Sequence, residues 1–268
     1  MLPPFSLARP SSLSEALEAL GDDRVPYCGG TELLLAMRAG LTRPDTLVDI
    51  KRVPELAGIL VDEGHLVIGS RETHMDIAAN PLVLRHIPML VSVARQVGNA
   101  RVRAQGSIGG NLCFAEPKSD VGTALIALGA TVILESPRGR RETSVEDFIV
   151  GPYYAEREPD ELLINVRIPL PSPGARATYV KYQTMERPTV GIALTYDPHA
   201  EEAHLAIGAV GETPLAWTYD SPDLIDSSAV AELIDPTPDL AGSERYKRHI
   251  TKVFIDRAIE ALAKAGKQ

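Results

Sequence analysis

The chain has 268 residues, of which 44% are hydrophobic and 24% charged, the make-up of an ordinary globular protein of about two domains. With 27 basic against 36 acidic residues, its net charge of −9 weighs against nucleic acid or an anionic membrane as a partner, since both call for a basic face. Two cysteines cannot build a disulfide framework, and no apolar run approaches the ~20 residues that span a bilayer, so a reducing, cytoplasmic location without membrane insertion is expected.

Ser12-Leu13-Ser14-Glu15 reads as a capping box that opens a helix through Leu20, stopped by Gly21. A short strand, Val25 to Cys28, leads through Gly29-Gly30-Thr31 into a helix from Glu32 to Ala39 that Gly40 ends; Thr46 to Ile50 is a further strand. Gly58 to Gly69 is a hairpin turned at Glu63-Gly64. Helices are expected over Thr73 to Ala79 and Leu84 to Val97, then a glycine-rich turn at Gly106 and a loop as far as Asp120. From Asp120 a helix begins, and Ala130 to Glu135 and Arg140 to Ser144 form a hairpin. Glu161 to Ile168 alternates, placing Leu162, Ile164, Val166 and Ile168 on one face.

Pro169-Leu170-Pro171-Ser172-Pro173-Gly174 is the clearest linker. Three antiparallel strands are expected after it: Thr178 to Tyr182, Val190 to Tyr196 and Ala203 to Val210. Ser243 to Lys264 closes the chain as an amphipathic helix with Tyr246, Ile250, Val253, Phe254, Ala258, Ala261 and Leu262 inward.

No zinc-protease, serine-hydrolase, P-loop or G-x-G-x-x-G motif is present, and the six histidines are too scattered for a metal site. Two glycine clusters remain, Cys28-Gly29-Gly30-Thr31-Glu32 and Gly106-Ser107-Ile108-Gly109-Gly110-Asn111. Each alone is also explained as a tight turn. Glycine lets the main chain come close to a ligand, and consecutive backbone N–H groups bind phosphate without a lysine. A pair of such clusters points to a clamp for the two phosphates of a dinucleotide, a solution suited to an acidic chain.

The stretch from Gln105 to Asp120 resembles the GTIGGNxxxAxPxSD segment of the FAD-binding medium subunits of molybdenum hydroxylases, the carbon monoxide dehydrogenase and xanthine dehydrogenase flavoprotein family. Tyr27 to Leu33, Gly151-Pro152-Tyr153, Pro159 to Leu163 with Arg167 to Pro169, and Tyr246 to Ala261 resemble its other segments, in order. The resemblance implies an α+β fold: a vanillyl-alcohol-oxidase-type FAD-binding domain of two α/β subdomains, residues 1–55 and 56–170, followed by a C-terminal three-stranded antiparallel sheet with a helical bundle, residues 175–268.

It further implies that Tyr27, Cys28, Gly29, Gly30, Thr31, Glu32 and Leu33, with Ser107, Ile108, Gly109, Gly110 and Asn111, wrap the FAD diphosphate with backbone amides. Asp120 would accept from an FAD hydroxyl, Leu163 would pack near the isoalloxazine, and Lys181 would stabilise the reduced flavin. Cys28 stands where the family usually has alanine, and Met185-Glu186-Arg187-Pro188-Thr189 departs from the arginine-rich pattern usual after the lysine.

The implied function is electron transfer, from 2Fe–2S clusters of a small partner subunit through FAD to an acceptor, with molybdopterin in a large partner subunit and a dimer of heterotrimers as the assembly. Two cysteines cannot supply the four ligands of a cluster, so the metal centres belong to those partners. A self-contained FAD-dependent reductase of the same superfamily, and a non-catalytic assembly subunit with a decayed flavin site, are the alternatives.

Overall fold

The computed structural model describes residues 1–184 and 187–265. Strands β1 (Ser6–Ala8), β2 (Arg24–Tyr27) and β3 (Thr46–Asp49) form a parallel sheet in the order β1–β3–β2, with helices α1 (Leu13–Ala19) and α2 (Leu33–Ala39) as its crossovers. β1 is too short to announce itself by periodicity. The Ser12 hydroxyl caps α1 by accepting from the Glu15 N–H at 3.2 Å. The Glu15 carboxylate reaches one residue further than a capping box requires and accepts from the Ser11 N–H at 2.8 Å. Gly40 ends α2 with φ +77°, a left-handed position that favours glycine.

The second sheet is antiparallel. It contains β4 (Ile59–Asp62), β5 (His65–Gly69), β6 (Thr131–Ser136), β7 (Gly139–Ser144) and, beyond the small hairpin β8 (Ile149–Gly151) and β9 (Tyr154–Ala155), β10 (Leu162–Pro169). Its order is β4–β5–β10–β6–β7. Glu63 and Gly64 both take positive φ at the first hairpin, as a two-residue turn between twisted strands requires. Helices α3 (His74–Ala79), α4 (Pro81–His86), α5 (Pro88–Gln96), α7 (Ile108–Phe114), α8 (Asp120–Ala127) and α9 (Val145–Phe148) enclose one core with this sheet, while α6 (Ala100–Gln105) buries no residue.

Three expectations are corrected in this unit. The helix expected over Leu84 to Val97 is two helices, because Pro88 has no N–H to continue the ladder and starts α5 instead. The glycine turn and loop before Asp120 is largely α7: Ser107 caps it by accepting from the Gly110 N–H at 3.2 Å. The four apolar residues of β10 do not share a face. A bulge at Ile164 shifts the register between Leu163 and Asn165, so Leu162 and Ile164 pack with α1 and β3, while Leu163, Val166 and Ile168 enter the helical core.

The third sheet is an antiparallel meander of β11 (Arg176–Tyr182), β12 (Val190–Asp197), β13 (Glu202–Gly208) and β14 (Leu215–Tyr219). The fourth strand corrects the expected three: β14 is a half-buried edge strand, shorter than its neighbours, whose Leu215, Trp217 and Tyr219 pack against the same core. One face, with Ile192, Leu194, Leu205 and Ile207, is covered by α10 (Ser227–Leu233) and α11 (Glu244–Ala265). The inward side of α11 is rotated from expectation toward Lys247 and Thr251, because the Lys247 ammonium donates inward to the Thr237 carbonyl at 2.7 Å.

The other face carries Gly191, Ala193, Ala206 and Gly208, and α8 sits flush on it. A Cβ on Gly208 would stand 2.0 Å from Thr123 Oγ1, so only glycine admits the helix there. No helix among the described residues is long and apolar enough to cross a membrane.

Candidate cofactor site

A cavity of about 620 Å³ opens where the first two sheets and the third unit meet, within the usual range for small-molecule sites. Cys28, Gly29, Gly30, Thr31, Glu32 and Leu33 line it from the first glycine segment, and Ser107, Gly109, Gly110 and Asn111 from the second, with Asp120 and Leu163. Tyr27, Ile108 and Lys181 are not among its lining residues. The Tyr27 ring lies beneath the Lys51 ammonium, 4.1 Å from its centre. Ile108 is fully buried in the helical core.

The two segments touch. A Cβ on Gly29 would come within 1.8 Å of the Gln105 carbonyl oxygen, so this glycine exists to let the two backbones meet. They differ in what they offer a ligand. Gly30 is left-handed, with φ +66°, and the N–H groups from Gly29 to Leu33 donate to no acceptor among the described residues. Such a run is a ready anion nest.

In the second segment the amides are already engaged. Ile108 donates to the Glu72 carbonyl (3.0 Å), Gly109 to that of Ser70 (2.9 Å) and Asn111 to that of Ser107 (2.9 Å). Free amides from 108 to 111, expected from sequence, are therefore not present; capping of α7 and its packing consume them. What this segment presents is a bare wall at Gly110, where a Cβ would meet only Ser107 Oγ, and the Asn111 side chain, whose Oδ1 accepts from the Ser119 hydroxyl at 2.7 Å.

Asp120 is buried at the first position of α8, where Ser119 is the cap. One carboxylate oxygen accepts from Tyr179 and the other from the Lys181 ammonium, at 2.7 Å. Lys181 is thus paired with Asp120 and is not among the cavity's lining residues. Burial, with Asp120 beside it, pushes the Tyr179 phenol well above its ordinary value, so it remains a hydrogen donor. Gly191 leaves room for that hydroxyl, which would lie 2.2 Å from a Cβ there.

The family described as "FAD binding domain in molybdopterin dehydrogenase" matches residues 3–171. The chain belongs to this family. Its fold is that of the family's solved structures. Carbon monoxide dehydrogenase from Hydrogenophaga pseudoflava, in a form lacking the Mo-pyranopterin moiety, superposes with a TM-score of 0.91 at 27% identity, covering 99% of both chains. Quinoline 2-oxidoreductase from Pseudomonas putida 86 superposes with a TM-score of 0.91 at 29% identity, covering 100% of both chains. Among curated proteins, the glyceraldehyde dehydrogenase medium chain of Sulfolobus acidocaldarius is 30% identical across 98% of this chain and 100% of its own length. The carbon monoxide dehydrogenase medium chain of Hydrogenophaga pseudoflava is 29% identical across 97% of this chain and 98% of its own.

The chain is accordingly an FAD-binding component of an oxidoreductase. The residues present fit the cofactor. A diphosphate needs donors without bulk, which the free amides beside Gly30 and the bare wall at Gly110 provide. An isoalloxazine needs an apolar surface, which Leu162 and Leu163 provide.

Sequence reasoning missed several members of this FAD domain's cavity. Gln96, Val97, Gly98 and Asn99 enter at the turn between α5 and α6, announced only by the Gly98-Asn99 pair. Arg187 arrives from the loop after β11; Met185 and Glu186 of that loop lie outside the described residues. Its guanidinium bridges Glu32 Oε1 (2.9 Å) and Glu116 Oε2 (3.1 Å), tying the end of one glycine segment to the residues following the other. Burial works against that charge, but the two carboxylates hold Arg187 above its ordinary value. Glu116, assigned no role from sequence, is the inner anchor. Burial pushes both thiols, Cys28 and Cys113, up, which favours their protonated form.

Proposed function

We propose that this chain is the electron-transferring medium subunit of a molybdenum hydroxylase. A small partner subunit with 2Fe–2S clusters delivers electrons to the FAD held here, a large partner subunit carries molybdopterin, and the assembly is a dimer of heterotrimers. The observation that carries this reading is the meeting of two glycine segments at one cavity, one with unpaired amides and the other with a wall free of side chains. Bound FAD supplies a centre that takes up electrons singly or in pairs.

The chain's own residues hold and shape that site. The amides from Gly29 to Leu33 and the Thr31, Ser107 and Asn111 side chains receive the diphosphate. Asp120, held by Tyr179 and Lys181, keeps spare lone pairs and accepts from an FAD hydroxyl. Leu163 packs against the isoalloxazine. Residues 1–55 and 56–170 act as the two FAD-binding subdomains, and residues 175–268 as the unit that closes the cavity's third side.

The test is affinity purification from native cells, with mass spectrometry of co-purifying chains and assays for iron, molybdenum and flavin. Two further chains with iron and molybdenum are expected. A yellow chain that purifies alone and reduces a soluble substrate with NADPH would instead establish the self-contained reductase. A colourless chain that ignores added FAD would establish the assembly subunit.

A further inference from the structure

The lysine and arginine residues lining the cavity are Lys118, Arg157 and Arg187, and they are not equivalent. Lys118 is paired with Asp239 at 2.6 Å, and Arg187 with Glu32 and Glu116. Arg157 has no carboxylate partner among the described residues. Its Nη1 donates instead to two main-chain carbonyls, Glu158 at 3.0 Å and Glu161 at 2.6 Å. Its Nε and Nη2 donate to nothing among the described residues, and neither is sealed: the buried side-chain nitrogens without a partner are those of Arg71, His74 and Arg167.

The acidic groups around Arg157 are held by other cations or face solvent. Arg141, from β7, grips Glu161 with two bonds of 2.7 Å and Glu156 with one of 2.6 Å. Arg138 pairs with Asp160, and Glu158 is exposed. On the α7 side the titratable neighbour is the Cys113 thiol, raised by burial and close enough to feel the Arg157 charge. Glu161 immediately precedes Leu162, so the bond to its carbonyl sets the guanidinium at the head of β10, beside the apolar pair Leu162 and Leu163.

We infer that Arg157 stabilises the anionic form of reduced FAD. This rests on the seating proposed above, with the isoalloxazine against Leu163. Two electrons from the partner's reduced iron–sulfur centres and one proton from solvent enter the ring, which therefore gains one net negative charge. A fixed cation beside it favours that product and leaves the neutral oxidised ring nearly untouched, so the flavin becomes easier to reduce. The two carbonyls that hold Nη1 keep the charge in place before the electrons arrive.

The experiment uses the FAD-loaded full chain with Arg157→Gln, Arg157→Met and Arg157→Lys, reduced by dithionite against a reference dye across a pH range. The neutral variants are expected to favour the reduced form about tenfold less, a midpoint lower by about 30 mV for a two-electron couple. Arg157→Lys is expected to keep most of the parent's midpoint, and oxidised FAD to bind all three within about twofold of the parent. The difference is expected to vanish at low pH, where a second proton leaves the reduced ring neutral, and the pH of that change to rise by about one unit in the neutral variants. Arg157→Gln keeps an N–H for the Glu161 carbonyl, so it removes the charge with little cost to the fold. A midpoint equal to the parent's at every pH overturns the inference, whether or not the melting temperature falls, as does an equal weakening of oxidised and reduced FAD. Leu163→Ala separates the two layers of argument. If it leaves the visible absorption of bound FAD unmoved and the Arg157 variants leave the midpoint unmoved, the seating itself is wrong; if it shifts the absorption while the midpoint stays, only the assignment of Arg157 fails.

Discussion

Gly110 offers a direct trial of the cavity wall. A Cβ built on it would lie 3.0 Å from Ser107 Oγ and within 4 Å of nothing else, so a side chain there projects into the volume assigned to FAD. Two effects on the fold nearly cancel. Crowding the Ser107 hydroxyl weakens the cap of α7, at about 0.5–2 kcal/mol, while replacing glycine inside a helix with alanine gains about 0.5–1 kcal/mol. For a chain of this size a net ~1 kcal/mol moves the melting temperature by only about 2–4 °C. The ligand has no such compensation. A methyl group that displaces the diphosphate by enough to lose one charge-assisted hydrogen bond costs about 1.5–3 kcal/mol, or roughly 10- to 150-fold in affinity. Gly110→Ala is therefore expected to weaken FAD by that factor, and Gly110→Val to abolish FAD retention. Quenching of flavin fluorescence on titration, alongside melts of the flavin-free chain, separates the two effects. Gly110→Val purified with a full complement of FAD would refute the placement of the cofactor against this wall.

Gly29→Ala, by contrast, places a Cβ 1.8 Å from the Gln105 carbonyl oxygen and is expected to lower stability itself, by about 3 kcal/mol or more, read as a fall in urea midpoint with flavin absent. Arg187→Met removes both ion pairs across the cavity. Because Arg187 is 43% exposed, stability should change by less than ~1 kcal/mol, while FAD dissociation in stopped flow should quicken about 2- to 10-fold, and the parent's own dissociation should quicken with added salt. Although burial works against it, Lys118 and Lys247 hold the Asp239 carboxyl down at about 2, against an ordinary 3.8. A depressed folded-state value means that its stabilisation is present above about pH 4 and is lost as pH falls toward 2. Comparing denaturation midpoints of the parent and Asp239→Asn across that window should show about 1 kcal/mol of extra pH dependence in the parent alone, after discounting for partial exposure.

What could be read in advance was what neighbouring residues decide among themselves. Ser12 caps the helix it precedes, Gly40 ends one, and Glu63-Gly64 turns a hairpin, because each needs only the next few residues. The glycine segments were legible as places of close approach, yet their division of labour was not. Whether the Ile108 or Gly109 amide is free depends on the Glu72 and Ser70 carbonyls, which sit more than a helix away in sequence. The same holds for Lys181, whose partner Asp120 comes from another unit, and for Arg187, whose partners come from two. The face occupied by Val166 was misread because a bulge leaves no mark in an alternating pattern.

The extra residue at Ile164 has a mechanical consequence. By reversing side-chain parity halfway along β10, it makes a single rod the keel of both halves of the FAD cradle, with Leu162 and Ile164 wedged into one hull and Val166 and Ile168 into the other. Prising the halves apart would mean uprooting that rod, which lies at the centre of the five-stranded sheet and is hydrogen-bonded on both edges.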